Sequence, residues 1–587
     1  MQEAPPSGVP SGLKWSRQIL HPVLVLAMAG CLLSLVGWTG TVTGWQHWVT
    51  TLGGLVFSAQ RWLVFSYLEA TGRERRRLLV HLAVGVLVLV VAATLLALDL
   101  AGRGSRAGGW HVAIQVGVIA SGVASMIHHQ TRFTAKAFHP GLVLIGSFFA
   151  IIVAGTLLLK MPRCVLPGQH CSWLDAAFTS TSAVCVTGLA VQNTATFFSL
   201  TGQTVILVLI QVGGLGIMTL TFFAAVVLFE GLSLHDRLLL GRMMSDNRLS
   251  RIGHTLTFIV GMTFLCEGIG AAVLFATLQG EMTMAERLFH SVFHSVSAFC
   301  NAGFSTFTDG LASETVRANS AWQSCIMALI VIGGIGALVA EDITKLALAA
   351  CQRLLGRSVG RTRLRIHTRL VVATTAILIV GGAAAILLSE FVLWRGPENG
   401  GRVLTALFHS VTARTAGFNT VPMGAIGPVT VQILMILMVI GGSPGGTAGG
   451  IRTTVVAVAM GHLWNQLRNG RRGMVVFNRT IPPEAGTQAL GLILLAGIWL
   501  AGNYMVFRHL EADSAITDTR LLFELISAFA TVGLSLDLTP LLSDGGKTLL
   551  IVNMFVGRIG LLTVLATLVP PDHRPASGKP TENILLN

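Results

Sequence analysis

Four short stretches decide how this chain is read: Cys185-Val186-Thr187-Gly188-Leu189, Cys300-Asn301-Ala302-Gly303-Phe304, Arg414-Thr415-Ala416-Gly417-Phe418 and Ala530-Thr531-Val532-Gly533-Leu534. Aligned on their glycines they lie about 115 residues apart, from 188 to 303, 303 to 417 and 417 to 533. Self-similarity at a fixed period marks one structural unit used repeatedly. A short helix is predicted ahead of each glycine, over 175–184, 286–299, 402–413 and 520–529. Phe289-His290-Ser291-Val292 and Phe408-His409-Ser410-Val411 echo one another inside two of them.

A second motif follows each glycine. It reads Val212-Gly213-Gly214-Leu215-Gly216, Ile332-Gly333-Gly334-Ile335-Gly336, Ile440-Gly441-Gly442 and Val556-Gly557-Arg558-Ile559-Gly560. Two registered motifs in four copies are hard to obtain by chance. Ordinary small-residue helix packing explains a single glycine well but not four aligned copies of the first motif, whereas for the Gly-Gly pairs of the second it is an equal reading. Each unit is expected to hold a full-length apolar helix, a short helix ending in the glycine motif, and a second full-length helix. The units are placed at 141–230, 251–350, 366–467 and 484–568. Residues 1–140 form two to four extra spans, and 569–587 a short tail.

Composition sets the class. Of 587 residues, 52% are hydrophobic and 11% charged, against about a quarter charged in soluble domains. The chain reads as an all-α polytopic membrane protein, with four tandem helix–pore-loop–helix repeats around a central pore, preceded by N-terminal transmembrane helices. The net charge of +14 sits in short loops between apolar spans, so nucleic acid is not the expected partner. Arg237, Arg242, Arg248 and Arg251 mark one such loop, Arg353, Arg357, Arg361, Arg363, Arg365 and Arg369 a second, and Arg468, Arg471, Arg472 and Arg479 a third. The positive-inside rule makes all three cytoplasmic. Arg73, Arg75, Arg76 and Arg77, with Arg132 and Lys136, agree if the N-terminus is also inside. The short helices then enter from the opposite face.

Irregular backbone at membrane depth survives only where protein buries it or water lines it. Four short helices that stop mid-membrane meet that condition by surrounding a pore. Glycine lets the carbonyls turn to the axis, and rings of carbonyls can replace the hydration shell of a cation. Apart from Arg414, no charged side chain stands beside the aligned glycines, which favours a weakly hydrated monovalent ion. The candidate ion-binding residues are Val186, Thr187 and Gly188, Asn301, Ala302 and Gly303, Thr415, Ala416 and Gly417, and Thr531, Val532 and Gly533.

At these residues the chain resembles the bacterial TrkH and KtrB subunits of the superfamily of K+ transporters, related to plant and fungal HKT and Trk transporters. The resemblance spans about 141–568. It implies K+ uptake across the bacterial inner membrane, with K+ as the transported ion and no organic cofactor. Glycine at position 188, where a serine would suggest Na+, argues for K+. A Na+ or mixed K+/Na+ transporter of the same fold is the alternative. The run Gly441-Gly442-Ser443-Pro444-Gly445-Gly446-Thr447-Ala448-Gly449-Gly450 breaks the third unit's second helix and lacks the Lys-Ser/Thr ending of a phosphate-binding loop. The resemblance implies an intramembrane gate there, with Arg558 pointing into the pore below the filter. It also implies a homodimer working with a cytoplasmic nucleotide-binding ring subunit of TrkA or KtrA type.

Other classes fare worse. An organic-solute transporter would carry inverted or parallel halves. An enzyme would need His290, His294 or His409 to meet an acid or nucleophile at motif spacing. Of eight cysteines, Cys164 and Cys171 share one polar loop and could be either a disulfide or two thiols. Glu267 and Glu390, in apolar first helices, receive no role, and Asp537 is either a cation-concentrating acid or a solvated one.

Overall fold

The computed structural model describes residues 140–230, 248–278, 280–356, 364–393, 402–468, 474–477, 479–512 and 516–568. The expected N-terminal spans, the tail, and the basic residues Arg73, Arg75, Arg76, Arg77, Arg132, Lys136, Arg237, Arg242, Arg357, Arg361, Arg363, Arg471 and Arg472 lie outside them.

Helices dominate. In chain order they are α1 (Pro140–Leu159), α2 (Trp173–Val184), α3 (Leu200–Glu230), α4 (Arg248–Thr277), α5 (Met284–Phe299), α6 (Ser320–Ile335), α7 (Ala337–Leu354) and α8 (Ile366–Leu393). There follow α9 (Arg402–Thr412), α10 (Pro428–Val439), α11 (Thr453–Leu467), α12 (Pro483–Leu510), α13 (Asp518–Phe529), α14 (Asp544–Ile559) and α15 (Leu561–Leu568), with single-turn helices between some of them. A two-stranded hairpin, β1 (Met474–Val476) and β2 (Arg479–Ile481), joins α11 to α12, with Val475 opposite Thr480.

The long helices face outward with apolar side chains. Thr257–Thr277, Ile366–Glu390 and Pro483–Leu510 are each long and apolar enough to cross a membrane. Phe264, Leu265, Ile377, Val380, Leu494 and Ile498 on them are exposed. Such faces would be a liability in water and are at home against lipid tails. The short helices α2, α5, α9 and α13 are the inverse case: Phe178, Phe293, Phe408 and Phe523 on them are fully buried. Their starts are written locally. Thr283 and Glu286 form a reciprocal capping box at α5, which satisfies two of the four N–H groups a helix start leaves open.

The chain divides into two compact units. One holds 1–138, 152–180 and 192–209, the other 139–151, 181–191 and 210–587. Within the first, the loop after α1 is fastened by the pairing of Val165 with Phe198 and by the Ser199 N–H donating to Cys164 O at 2.9 Å. Cys164 and Cys171 in that loop are buried free thiols, so no disulfide joins them. The polypeptide is held instead by these backbone bonds, with Gly202 seated where a side chain would strike Cys164 O.

Within the larger unit the second helices depart from expectation. Only α3 runs unbroken through its glycine motif. Between α6 and α7 the chain bends by 110° at Gly336, where φ is +92°. Gly560, at φ +96°, separates α14 from α15, and the 441–450 run separates α10 from α11. A left-handed residue cannot continue a right-handed helix, and glycine adopts it without the Cβ penalty.

The first glycine of the motif has a separate task. A side chain on Gly213, Gly333 or Gly557 would strike the carbonyl oxygen of Val184, Phe299 or Phe529, the last residue of the short helix in the same unit. Gly441 instead packs against Gly449 O of its own loop. Gly333→Ala is therefore expected to cost about 1–3 kcal/mol by overpacking. Gly381→Ala on α8, with nothing within 4 Å, is expected to be neutral or slightly stabilising. Thermal unfolding of the two variants in detergent checks this; equal melting temperatures would contradict the packing.

Candidate functional site: a ring of four glycine loops

Each short helix ends two or three residues before its glycine loop, and each loop alternates in backbone hand. Val186, Asn301, Thr415 and Thr531 have φ of +54°, +60°, +74° and +50°, and Gly188, Gly303, Gly417 and Gly533 have φ of +94°, +69°, +78° and +94°. Thr187, Ala302, Ala416 and Val532 between them are not left-handed. Alternation of this kind turns successive carbonyls to one side of the chain. For a β-branched residue such as Val186 or Thr531 a positive φ is a strained state, costing on the order of 1–3 kcal/mol. Three such residues, Val186, Thr415 and Thr531, at equivalent places imply that the surroundings impose the shape, and Asn301 in the second loop is a type that tolerates it.

The four loops close on one another. A side chain on Gly303 would lie 2.7 Å from Ala416 O and 3.1 Å from Gly417 Cα. One on Gly417 would strike Val532 O and lie 3.0 Å from Gly533 Cα. One on Gly533 would strike Thr187 O and lie 3.0 Å from Gly188 Cα, and one on Gly188 would strike Ala302 O and lie 3.1 Å from Gly303 Cα. Taken in chain order, each glycine abuts the next and the fourth abuts the first. The carbonyls of Thr187, Ala302, Ala416 and Val532 thus stand at the four seams of one ring.

The helix ends hold the loops in place through residues that sequence reasoning missed. Ser182 O accepts from Thr187 N at 2.8 Å, Ser297 O from Ala302 N at 2.7 Å, Thr412 O from Ala416 N at 2.9 Å, and Ser527 O from Val532 N at 2.8 Å. The hydroxyls of the same residues reach further. Ser182 Oγ accepts from Gly188 N at 3.0 Å and Ser527 Oγ from Gly533 N at 3.1 Å. Ser297 Oγ donates to Phe304 O at 2.8 Å and Thr412 Oγ1 to Phe418 O at 2.8 Å. A hydroxyl six residues before each glycine, or five in the third loop, was the available signal. In that loop Gly417 N also donates to Thr412 O, at 3.3 Å, which absorbs the one-residue difference in register.

Asn301, fully buried, is best satisfied with its amide nitrogen donating to Ala298 O at 3.0 Å and Ile330 O at 3.2 Å. His294 Nε2 hydrogen-bonds Ser305 Oγ at 2.9 Å, His290 Nδ1 meets Thr306 Oγ1 at 2.6 Å, and Phe307 stacks against both rings. Glu524, fully buried, accepts from Thr539 Oγ1 at 3.1 Å and from Ser535 Oγ. These buried polar groups brace the loops from behind, and His409 Nδ1 is likewise engaged with Thr405 O, at 2.9 Å. Glu267 is buried beside Cys300, Glu390 accepts from Gly427 N at 3.4 Å, and Asp537 is exposed at φ +57°.

The 441–450 run is a built loop. Gly441 N donates to Ile451 O at 2.9 Å, Ser443 N to Gly334 O at 3.1 Å, Thr447 N to Gly333 O at 3.3 Å and Thr453 N to Gly442 O at 3.0 Å. Its bend shares the break in the second unit, since Ala337 N donates to Gly445 O at 3.2 Å. Ser443, Thr447 and Ala448 are buried, and so is Arg558, 1% exposed. The Arg558 guanidinium donates to Thr447 O of the loop and to Gly213 O of α3 at 3.2 Å. Among the described residues this cation has no carboxylate partner, and it fastens the loop to the first repeat's second helix. Gly445 and Gly450, at φ +76° and +68°, let the loop fold back on itself.

Comparisons with known proteins place the chain among its relatives. A family model described as TrkH, cation transport protein, matches residues 113–573. The potassium/sodium uptake protein NtpJ of Enterococcus hirae is 31% identical over 77% of this chain and 98% of its own. The Ktr system potassium uptake protein B of Vibrio alginolyticus is 34% identical over 75% and 93%, and that of Bacillus subtilis 34% over 73% and 92%. Among solved structures, the potassium transporter TrkH from Vibrio parahaemolyticus superposes with a TM-score of 0.61 over 83% of this chain and 97% of that one, at 18% identity, a likeness of fold.

The hydroxyl clamps generate a test. Ser527→Ala removes one buried acceptor from Gly533 N, a loss of about 1–3 kcal/mol in the loop, and should lower cation selectivity in flux assays; Ser527→Thr should restore it. Selectivity indifferent to both would deny the clamp a role. With the family model covering most of the chain, this protein belongs to the TrkH family of cation transport proteins, which are membrane transporters and not enzymes.

Proposed function

We propose that this chain mediates potassium uptake, with the ring of glycine loops as its selectivity filter. The single observation that supports this best is the closed series in which each glycine abuts the next loop, with a carbonyl oxygen at each of the four seams. K+ holds its water weakly, so four fixed carbonyls can replace that water at small cost, and no carboxylate is needed. The short helices aim their C-terminal, partially negative ends at the ring, which favours a cation there. The names of the relatives, two potassium uptake proteins and one potassium/sodium uptake protein, support the ion. The last of these also favours mixed K+/Na+ uptake as a second reading.

On this account Val186–Gly188, Asn301–Gly303, Thr415–Gly417 and Thr531–Gly533 bind the ion as four tandem repeats. The 441–450 loop, tied down by Arg558, is the gate beneath them. The loop is held by backbone hydrogen bonds of modest individual worth, roughly 1 kcal/mol each, and a few kcal/mol of ligand or partner binding would move it. The protein sits in the bacterial inner membrane with its basic loops cytoplasmic. It works as a homodimer with a separate cytoplasmic nucleotide-binding ring, a partner of the kind that the word "system" in two relatives' names suggests.

Growth of a potassium-uptake-deficient bacterium expressing this chain with its partner tests the reading. Rescue at low K+ is expected, with Gly188→Ser admitting Na+. Failure to rescue with both subunits verified in the membrane, or rescue indifferent to Gly188→Ser, would contradict it. Arg558→Ala removes the hydrogen bond to Thr447 O of the loop, the one to Gly213 O of α3, and the charge under the filter. It should raise partner-independent leak several-fold, about what the loss of one or two such bonds allows; an unchanged leak would deny the gate its latch.

A further inference from the structure

Beyond each glycine the chain leaves the ring past the short helix that delivered it, and side chains tie the two together. In the second repeat His290, thirteen residues before Gly303, meets Thr306 Oγ1, three residues after it, at 2.6 Å. His294, nine before, meets Ser305 Oγ, two after, at 2.9 Å. The fourth repeat keeps both ties with different chemistry. Arg520, thirteen before Gly533, donates to Leu536 O, three after, at 2.7 Å, and Glu524, nine before, accepts from Ser535 Oγ, two after. One spacing met by unlike side chains marks the tie itself, and not a residue type, as the built feature. The first repeat keeps one tie, from Gln192 Nε2 to Asp175 Oδ2 at 3.3 Å.

The third repeat keeps neither, among the described residues. With its register shorter by one, His409 stands where His294 does, and its Nδ1 engages Thr405 O as that of His294 engages His290 O. An Nδ1 that donates to a carbonyl leaves Nε2 as an acceptor. His294 Nε2 fills that role by accepting from the Ser305 hydroxyl, whereas His409 Nε2 is buried without a partner. Thr420, the counterpart of Thr306, also has a buried hydroxyl without a partner, and Thr405 stands where His290 would. Asn419, the counterpart of Ser305, turns elsewhere. Its amide donates to Val421 O at 3.3 Å, and a side chain on Gly310 of the second repeat would strike its Oδ1. Thr306, Thr420 and Leu536 are all buried, so the loops differ in tethering and not in exposure.

We propose that the third loop is the compliant quarter of the ring, and that His290, His294, Arg520 and Glu524 are positioning residues that keep the second and fourth quarters stiff. Because the glycines abut in chain order, the two stiff quarters face one another and the third loop stands between them. Each tie holds the chain two or three residues past a glycine whose other side is already pinned by the helix end. The carbonyls of the second and fourth loops are thus fixed from both sides, and those of the third from one. A ring that yields on one side contracts around a smaller cation at less cost. On the reading of the ring as a potassium filter, on which this consequence rests, the third loop sets how much Na+ is admitted.

Amide hydrogen exchange of the full-length protein in lipid nanodiscs tests the compliance without reference to the passage of any ion. Residues 418–421 should exchange about tenfold faster than 304–307 and 534–537, as two missing hydrogen bonds allow. Asn419→Ser offers His409 the hydroxyl that Ser305 offers His294, and should remove most of that difference. Ser305→Ala should speed exchange over 304–307 by about fivefold, the worth of one hydrogen bond, and Ser305→Thr should not. Equal exchange in the three loops of the unaltered protein, or exchange over 418–421 indifferent to Asn419→Ser, would overturn the proposal. The ratio of potassium to sodium uptake in vesicles reads the consequence: Asn419→Ser should raise it several-fold and Ser305→Ala lower it. Slowed exchange in Asn419→Ser with an unchanged ratio would overturn the part in selectivity. Failure of the filter reading would show instead as no potassium uptake by the unaltered protein, a result that the exchange rates do not share.

Discussion

The structure depends on the absence of four methyl groups. Gly188, Gly303, Gly417 and Gly533 each stand so close to the next loop that a Cβ would meet its backbone, and each has a φ that side chains disfavour. Backbone cannot step aside as a flexible side chain can, so the ring closes at this diameter or not at all. Everything around it serves that closure. The short helices deliver the loops, their terminal Ser and Thr residues pin the loop N–H and C=O groups, and the glycines Gly213, Gly333 and Gly557 let the second helices press against the last carbonyl of the short ones.

The strain in the loops has the same origin. Val186, Asn301, Thr415 and Thr531 hold left-handed backbone, which the three β-branched types among them avoid in free peptides. They stay there because the next residue's N–H is committed to the helix end and the glycine beyond it is wedged against a neighbour. A loop that is over-determined in this way presents its carbonyls without further reorganisation, the property that an ion-replacing site needs. The Arg558 cation couples the 441–450 loop to α3 through two carbonyls, those of Thr447 and Gly213.

Much of this was legible in the sequence, and the reasons are specific. The aligned glycines stood out because they recur at one period with short apolar segments before them. The 441–450 run stood out because no helix tolerates seven glycines or prolines in ten residues. The breaks at Gly336 and Gly560 were hidden. The same glycine spacing occurs in α3, which does not break, and close helix packing produces it equally well. The clamping residues Ser182, Ser297, Thr412 and Ser527 were also hidden, since hydroxyl residues abound in these helices and only the fold shows which of them face the loop. Arg414 was visible as an oddity, but its burial is a property of three dimensions.

The central claim is that the four seam carbonyls make one cation site. Crystals of the full-length protein grown in rubidium in place of potassium test it most directly. The account predicts anomalous density on the axis of the ring, equidistant from the carbonyl oxygens of Thr187, Ala302, Ala416 and Val532. A ring free of rubidium, with the ion bound at acidic side chains such as Glu524 or Asp537 instead, would contradict it.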